Sequence, residues 1–140
     1  MKIAIINGPN INLLGKREIN IYGSLSFNDF FKTLQERFPD VRFSSFQSNI
    51  EGKLIDSIQK FGENQDAIIL NAAAYTHTSI GIADAISAIS IPVIEVHISN
   101  VWAREEYRHT SYISSKCVGV IAGFGLQSYA LAVQSIIDRS

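Results

Sequence analysis

Five short apolar runs, each followed by a stretch with a different periodicity, constrain this chain more than any other feature. The runs lie at 2–7, 41–47, 67–71, 92–97 and 119–122. Strands buried on both faces read as short apolar runs of this kind. Between them the apolar positions switch to helical spacing. Phe27, Phe30, Phe31, Leu34 and Phe38 share one helix face, as do Ile50, Leu54, Ile55, Ile58 and Phe61. Further stripes run through Ile82, Ala85, Ile86 and Ile89, and through Leu126, Tyr129, Ala130, Val133, Ile136 and Ile137. Local punctuation agrees. Ser26 with Asp29 three residues later reads as a helix start, Gly62 predicts the end of the second helix, and Pro92 stops the third.

Strands joined through helices pair in parallel and need helical cover on both faces. The expected fold is therefore α/β, with three layers and a five-stranded parallel sheet in the flavodoxin-like order 2-1-3-4-5. With 140 residues, no internal repeat and no linker composition, a single domain over 1–140 is predicted. A hydrophobic share of 46% against 18% charged excludes a disordered chain. Twelve basic residues balance thirteen acidic ones with no basic block, which argues against nucleic acid or an anionic membrane as partner. The single cysteine, Cys117, cannot form an intramolecular disulfide and suits a reducing compartment. Beside Val118-Gly119-Val120-Ile121 it reads as a buried structural thiol. The chain enters a strand directly, without a signal-like start or an apolar stretch near the ~20 residues of a membrane span, so a cytoplasmic location is expected.

In such sheets ligands sit beyond the carboxyl ends of the strands, where the strand order reverses. Polar residues with chemical potential gather in those places. Asn10, Arg17 and Tyr22 follow the first strand; Asn71 ends the third, ahead of Tyr75, Thr76 and His77; His97, Ser99, Asn100 and Arg108 follow the fourth. The segment after the first strand, up to Gly23, is too long and too polar for a simple turn, and the part at about 15–23 reads as a lid. Glu95 and His97, two apart on a strand, point to the same side, so the carboxylate can orient the imidazole for acid–base work. A merely structural pair is the alternative. The backbone amides of Ile98 and Ser99 could hold a carboxylate. His77 and Asp84, seven apart, return to nearly the same helix face. They are too distant to pair, but each could grip a hydroxyl-rich ligand; the plainer readings are a helix-start cap and a solvated acid. Tyr22 could act as a base only if a cation such as Arg17 or Arg108 stabilised its phenolate, because an ordinary tyrosine titrates near pH ~10. Otherwise it packs the loop in place. His109 reads as a surface residue. Nothing has metal-ligand spacing, Gly123-Phe124-Gly125 lacks the third glycine of a dinucleotide loop, and no Walker loop follows the first strand. A non-catalytic flavodoxin-like binding or signalling module is the competing class. It would want acids after strand 1 and an Asp ending strand 3, where this chain has Asn7-Gly8-Pro9-Asn10 and Asn71.

Four ordered blocks carry a resemblance that spans the whole chain. Asn7-Gly8-Pro9-Asn10 with Leu14-Gly15-Lys16-Arg17-Glu18 and Tyr22-Gly23 is similar to the N-terminal signature of type II 3-dehydroquinate dehydratases. Asn71-Ala72-Ala73-Ala74-Tyr75-Thr76-His77-Thr78-Ser79, then Glu95-Val96-His97-Ile98-Ser99-Asn100, then Arg104-Glu105-Glu106-Tyr107-Arg108 resemble its other blocks. The late Gly119-Val120-Ile121-Ala122-Gly123-Phe124-Gly125 run also resembles that family. The resemblance implies the flavodoxin-like fold and anti elimination of water from 3-dehydroquinate through an enolate, with no metal or organic cofactor. It implies Tyr22 as base, Arg17 as the cation that holds Tyr22 as phenolate, and Asn10 as the group placing a water on the enolate oxygen. His97, oriented by Glu95, would protonate the leaving hydroxyl. Asn71, Ile98 and Ser99 would hold the substrate carboxylate, and His77 and Arg108 its ring hydroxyls. Asp84 would reach a neighbouring site in a homododecamer built from trimers. One departure falls on the lid: the family commonly has proline after the Arg-Glu pair, where this chain has Ile19. A freer backbone there predicts a more mobile lid and a costlier closure. Trp102 is a second departure.

Overall fold

A computed structural model describes residues 1–140. Strands β1 (Lys2–Asn7), β2 (Arg42–Gln47), β3 (Ala67–Asn71), β4 (Val93–His97) and β5 (Gly119–Ala122) form one sheet in the order β2-β1-β3-β4-β5. Every neighbouring pair is parallel. The helices are α1 (Ile19–Tyr22), α2 (Phe27–Arg37), α3 (Glu51–Asn64), α4 (Ile80–Ala88) and α5 (Gln127–Arg139). The order is the expected flavodoxin-like one, and β2 and β4 each begin one residue later than their apolar runs.

Alternation along the strands sorts the core into two halves. Ile3 and Ile5 of β1, Ile69 of β3 and Val96 of β4 pack with Phe30 and Leu34 of α2 and Tyr129 and Val133 of α5. Ala4, Ile6, Ile68 and Leu70 point the other way, against Leu54 and Ile58 of α3 and Ile82 and Ile86 of α4. Most of these side chains are fully buried. At about 1.5–3 kcal/mol for each buried aliphatic side chain, this two-sided burial outweighs the modest helix propensity of Phe-rich α2 and Ile-rich α4. The expected N-cap forms: the Ser26 hydroxyl accepts from the Asp29 amide at 3.2 Å.

Gly62 does not end its helix, which runs two residues further. Its missing side chain serves packing instead, because a Cβ there would stand 2.4 Å from Cγ2 of Ile89. Helix α3 thereby lies close against the end of α4.

The strand order reverses between β1 and β3, whose last residues, Asn7 and Asn71, are register partners. Tyr129 of α5 closes this point from below. Its hydroxyl donates to Asn7 Oδ1 at 2.6 Å and accepts from Asn71 Nδ2 at 2.9 Å. Complete burial pushes the phenol well above its ordinary value, so it remains a neutral donor. Immediately after β1, the Gly8 amide donates to the Asn71 carbonyl at 2.7 Å. A Cβ at Gly8 would lie 2.5 Å from the Ala72 carbonyl oxygen, a rigid backbone atom. Gly8→Ala is expected to destabilise the fold by roughly 1–3 kcal/mol. An unchanged urea midpoint for that variant would show that the crossing has room to spare.

Candidate active site

A cleft opens over the carboxyl ends of β1, β3 and β4. Every candidate residue except Glu95 and Asp84 lines it. The chain enters the cleft wall at Asn10, in the left-handed region at φ 70°, then makes a 3-10 turn at Ile11–Leu13 whose Ile11 and Leu14 are buried. Asparagine tolerates that conformation better than most residues. The segment expected as a loop lid holds a helical turn, α1, between Gly15 and Gly23, both at positive φ. Glu18 at φ 40° starts that turn, and Ala73 at φ 52° lines the cleft. Of the three non-glycine residues with left-handed backbones, Asn10 and Ala73 line the cleft and Glu18 adjoins its lining residue Arg17; such strain tends to concentrate at functional sites.

His97 ends β4 and is 5% exposed; Glu95, on the same side of the strand, is 2% exposed and lies behind it. His97 Nε2 donates to Glu95 Oε2 at 2.7 Å. A carboxylate accepts only, so Nε2 carries hydrogen and Nδ1 is the nitrogen left for a ligand. The other carboxylate oxygen of Glu95 accepts from Ser114 Oγ at 2.7 Å and Ser111 Oγ at 3.3 Å. Burial works to raise the Glu95 carboxyl, but the His97 contact and the two serine hydroxyls outweigh it and hold the group below its ordinary value. The His77 ring lies nearly parallel to that of His97, with centroids 6.3 Å apart. His77 Nδ1 donates to the Thr110 carbonyl at 2.7 Å. Burial lowers the His77 imidazole below its usual value, with Arg108 and His97 acting the same way against the Thr110 bond. His77 is therefore neutral near pH ~7 and offers Nε2 as an acceptor.

Tyr22 meets its cation from an unexpected direction. Arg104 Nη1 donates to the Tyr22 hydroxyl oxygen at 2.8 Å and to Ser99 Oγ at 3.3 Å. Arg17 instead stands over the ring face, 4.9 Å from the centroid, and pairs with its neighbour Glu18 at 2.7 Å. Arg108 pairs with Glu105 at 2.7 Å. Of the cleft's arginines, Arg104 is the least neutralised, its nearest carboxylate contact being 3.8 Å. The sequence puts Arg104 and Arg108 in one polar run and offers no signal separating them; only the return of that run across β4 aims Arg104 at the phenol. His109, expected at the surface, is half-buried and reaches the Arg104 carbonyl at 3.2 Å while its ring lies 5.2 Å from that of Trp102.

The residues expected to hold a carboxylate also line this cleft. Asn71 is held through Tyr129 and through its own Oδ1, which accepts from the Ala73 amide at 3.1 Å. The backbone N–H groups of Ile98 and Ser99 have no partner within the chain. The Ile98 carbonyl accepts from Gly125 at 3.0 Å, so the Gly123-Phe124-Gly125 turn fixes this backbone instead of cradling a phosphate. Asp84 sits exposed on α4, outside the cleft of its own chain. Cys117 is half-buried and packs against the α3–α4 core; burial, with the nearby Glu95 charge, pushes its thiol up to about 12. That places it outside nucleophilic chemistry.

Comparison with known proteins meets this geometry from outside. The profile of the family described as dehydroquinase class II matches residues 1–137. A 3-dehydroquinate dehydratase from an Exiguobacterium species is 53% identical, the match covering 99% of this chain and 96% of that protein. One from Caldicellulosiruptor bescii is 52% identical, over 96% and 95% of the respective chains. The crystal structure of a type II dehydroquinase from Butyrivibrio crossotus superposes with a TM-score of 0.95 at 45% identity, covering 98% of this chain and 97% of that one. By full-length sequence and by backbone alike, this chain belongs to the type II 3-dehydroquinate dehydratases.

Proposed function

We propose that this chain, a type II 3-dehydroquinate dehydratase of the shikimate pathway, removes water from 3-dehydroquinate by an acid–base pair built on Tyr22 and His97. The observation that carries the reading is the Arg104 guanidinium on the Tyr22 oxygen, in the same cleft as a histidine backed by a buried carboxylate. As phenolate, Tyr22 takes the proton alpha to the ketone and leaves an enolate. Asn10 positions a water on the enolate oxygen. The enolate then re-forms the ketone, the C–O bond of the beta hydroxyl breaks, and His97 gives that oxygen a proton from Nδ1. Water leaves, the ring keeps a conjugated double bond, and solvent returns the Tyr22 proton to His97. No electron acceptor is consumed, so the chemistry needs only bases, acids and a shielded enolate.

Asn71 and the free amides of Ile98 and Ser99 hold the substrate carboxylate, while His77 and Arg108 take its hydroxyls. The segment at 15–23 serves as lid. Its Arg17–Glu18 pair is exposed and adjacent, a kind worth only about 0–1 kcal/mol, so Arg17 is free to turn toward bound substrate. Closure would exclude water and strengthen the attraction between both arginines and the phenolate. The enzyme works in the cytoplasm; no helix is long and apolar enough to cross a membrane.

The decisive assay adds 3-dehydroquinate and follows absorbance of the enone. A rise proportional to enzyme is expected; a flat trace at high enzyme concentration sinks the proposal.

Oligomerisation belongs to the same reading. Asp84 and Ile80 lie one helical turn apart on α4, and Ile80 is 63% exposed. An exposed acid next to an exposed isoleucine, outside its own cleft, suits a subunit contact that delivers Asp84 to a neighbouring site. Light scattering is expected to give twelve times the 15.5 kDa chain mass, a homododecamer of trimers. A monomer mass would remove Asp84 from the site.

A further inference from the structure

Both imidazoles of the cleft are held by one segment that does not line it. Residues 110–114 pass behind β4 and the 3-10 turn Ala73–His77. The Thr110 carbonyl accepts from His77 Nδ1 at 2.7 Å. Two residues on, the Tyr112 amide donates to the Thr76 carbonyl at 3.0 Å, fastening the segment to the turn that bears His77. Ile113 is fully buried in the α3–α4 core. Ser111 and Ser114 then donate to the Glu95 oxygen that His97 does not use.

We propose that this segment is a strap that sets the geometry of the acid, with Ser114 the positioning residue whose hydroxyl aims Glu95 at His97. The proposal rests on reading His97 as the proton donor.

The two serines separate a positioning role from turn-making. Ser111 Oγ also accepts from the amides of Ile113 and Ser114, at 3.2 and 3.1 Å, so it shapes the turn itself. Ser114 Oγ has one partner in the chain, Glu95 Oε1 at 2.7 Å, and its own amide is satisfied by Ser111. Removing the Ser114 hydroxyl therefore leaves the turn standing and takes one charge-assisted hydrogen bond from the carboxylate. Without it, Glu95 gains freedom to rotate away from His97 Nε2.

The titratable groups facing Glu95 are His97 on its own strand, His77 from the turn after β3, and Cys117 just beyond the strap. Cys117 stays protonated through the working range, which leaves the two imidazoles as the titratable side chains beside Glu95. The sign follows from the hydroxyl's effect: the Ser114 bond lowers the Glu95 carboxyl, so its loss lets Glu95 take a proton at higher pH. The acid limb of kcat then moves upward.

Two measurements test this, on the full-length enzyme. The side-chain carboxyl carbon resonance of Glu95 is titrated by NMR without substrate, and kcat for 3-dehydroquinate is followed against pH. In Ser114→Ala both the carbon midpoint and the acid limb are expected to rise by about one pH unit, the shift of one lost charge-assisted bond. Ser114→Thr, which keeps a hydroxyl, restores both. A carbon midpoint unchanged in Ser114→Ala, or a folded Ser114→Thr that fails to restore it, overturns the proposal. The NMR arm needs no turnover: a parent enzyme inactive on 3-dehydroquinate refutes the dehydratase reading while the carboxyl titration still decides the role of Ser114.

Discussion

Tyr22→Phe is expected to lower kcat by roughly 10²–10⁴-fold, the range contributed by a positioned general base. The substitution deletes one oxygen and leaves the ring, so the packing of Tyr22 against the α2–α5 core persists. What disappears is the atom that receives the Arg104 hydrogen bond and that is proposed to take the substrate proton. The KM should change little, because Asn71, Ile98 and Ser99, the groups proposed to bind the carboxylate, are untouched. Circular dichroism and the thermal midpoint control for folding. If a well-folded Tyr22→Phe turns over at close to the parent rate, the base lies elsewhere and Tyr22 only packs the lid.

His97→Gln comes next in expected size, again roughly 10²–10⁴-fold in kcat. Glutamine is the informative choice because its side-chain nitrogen falls near the position of His97 Nε2. An N–H can still meet Glu95, which is 2% exposed and would be costly to leave unpaired. The variant loses Nδ1, the ring atom assigned to the leaving hydroxyl. Single-turnover kinetics distinguish the outcomes. An enolate that forms, detected as solvent deuterium entering 3-dehydroquinate, while dehydration slows, is the signature of a missing acid. Normal dehydration in this variant would leave His97 a structural partner of Glu95.

The departure at Ile19 bears on neither atom. Ile19 is 54% exposed and begins α1 after the left-handed Glu18. The backbone there is helical without proline, so the difference bears on the freedom of the proposed lid and not on where Tyr22 can reach.

The strand order, the two-sided helical cover and most of the cleft could be read from the sequence because each rests on local physics. Period-two and period-3.6 patterns set the elements, and ligands of such sheets gather where the order reverses. Gly62 was misleading for the same reason. A glycine near the end of a stripe reads as a stop, while here it admits Ile89, which lies just past the end of α4 and 27 residues on in sequence. Tyr129 read as one more apolar position on α5. Its hydroxyl joins Asn7 and Asn71, residues that meet only once β1 and β3 have paired.

By itself the sequence determined the fold class, the rim on which chemistry gathers, and the Glu95–His97 pairing, since two residues on one strand carry their geometry with them. The tertiary structure decided which cation serves Tyr22. Arg17 is five residues from the phenol and Arg104 is 82, yet Arg104 holds the oxygen. Closeness along a turn fixes only approximate distance, whereas hydrogen bonding requires a direction. That direction comes from β4 and from the loop that folds back across its end.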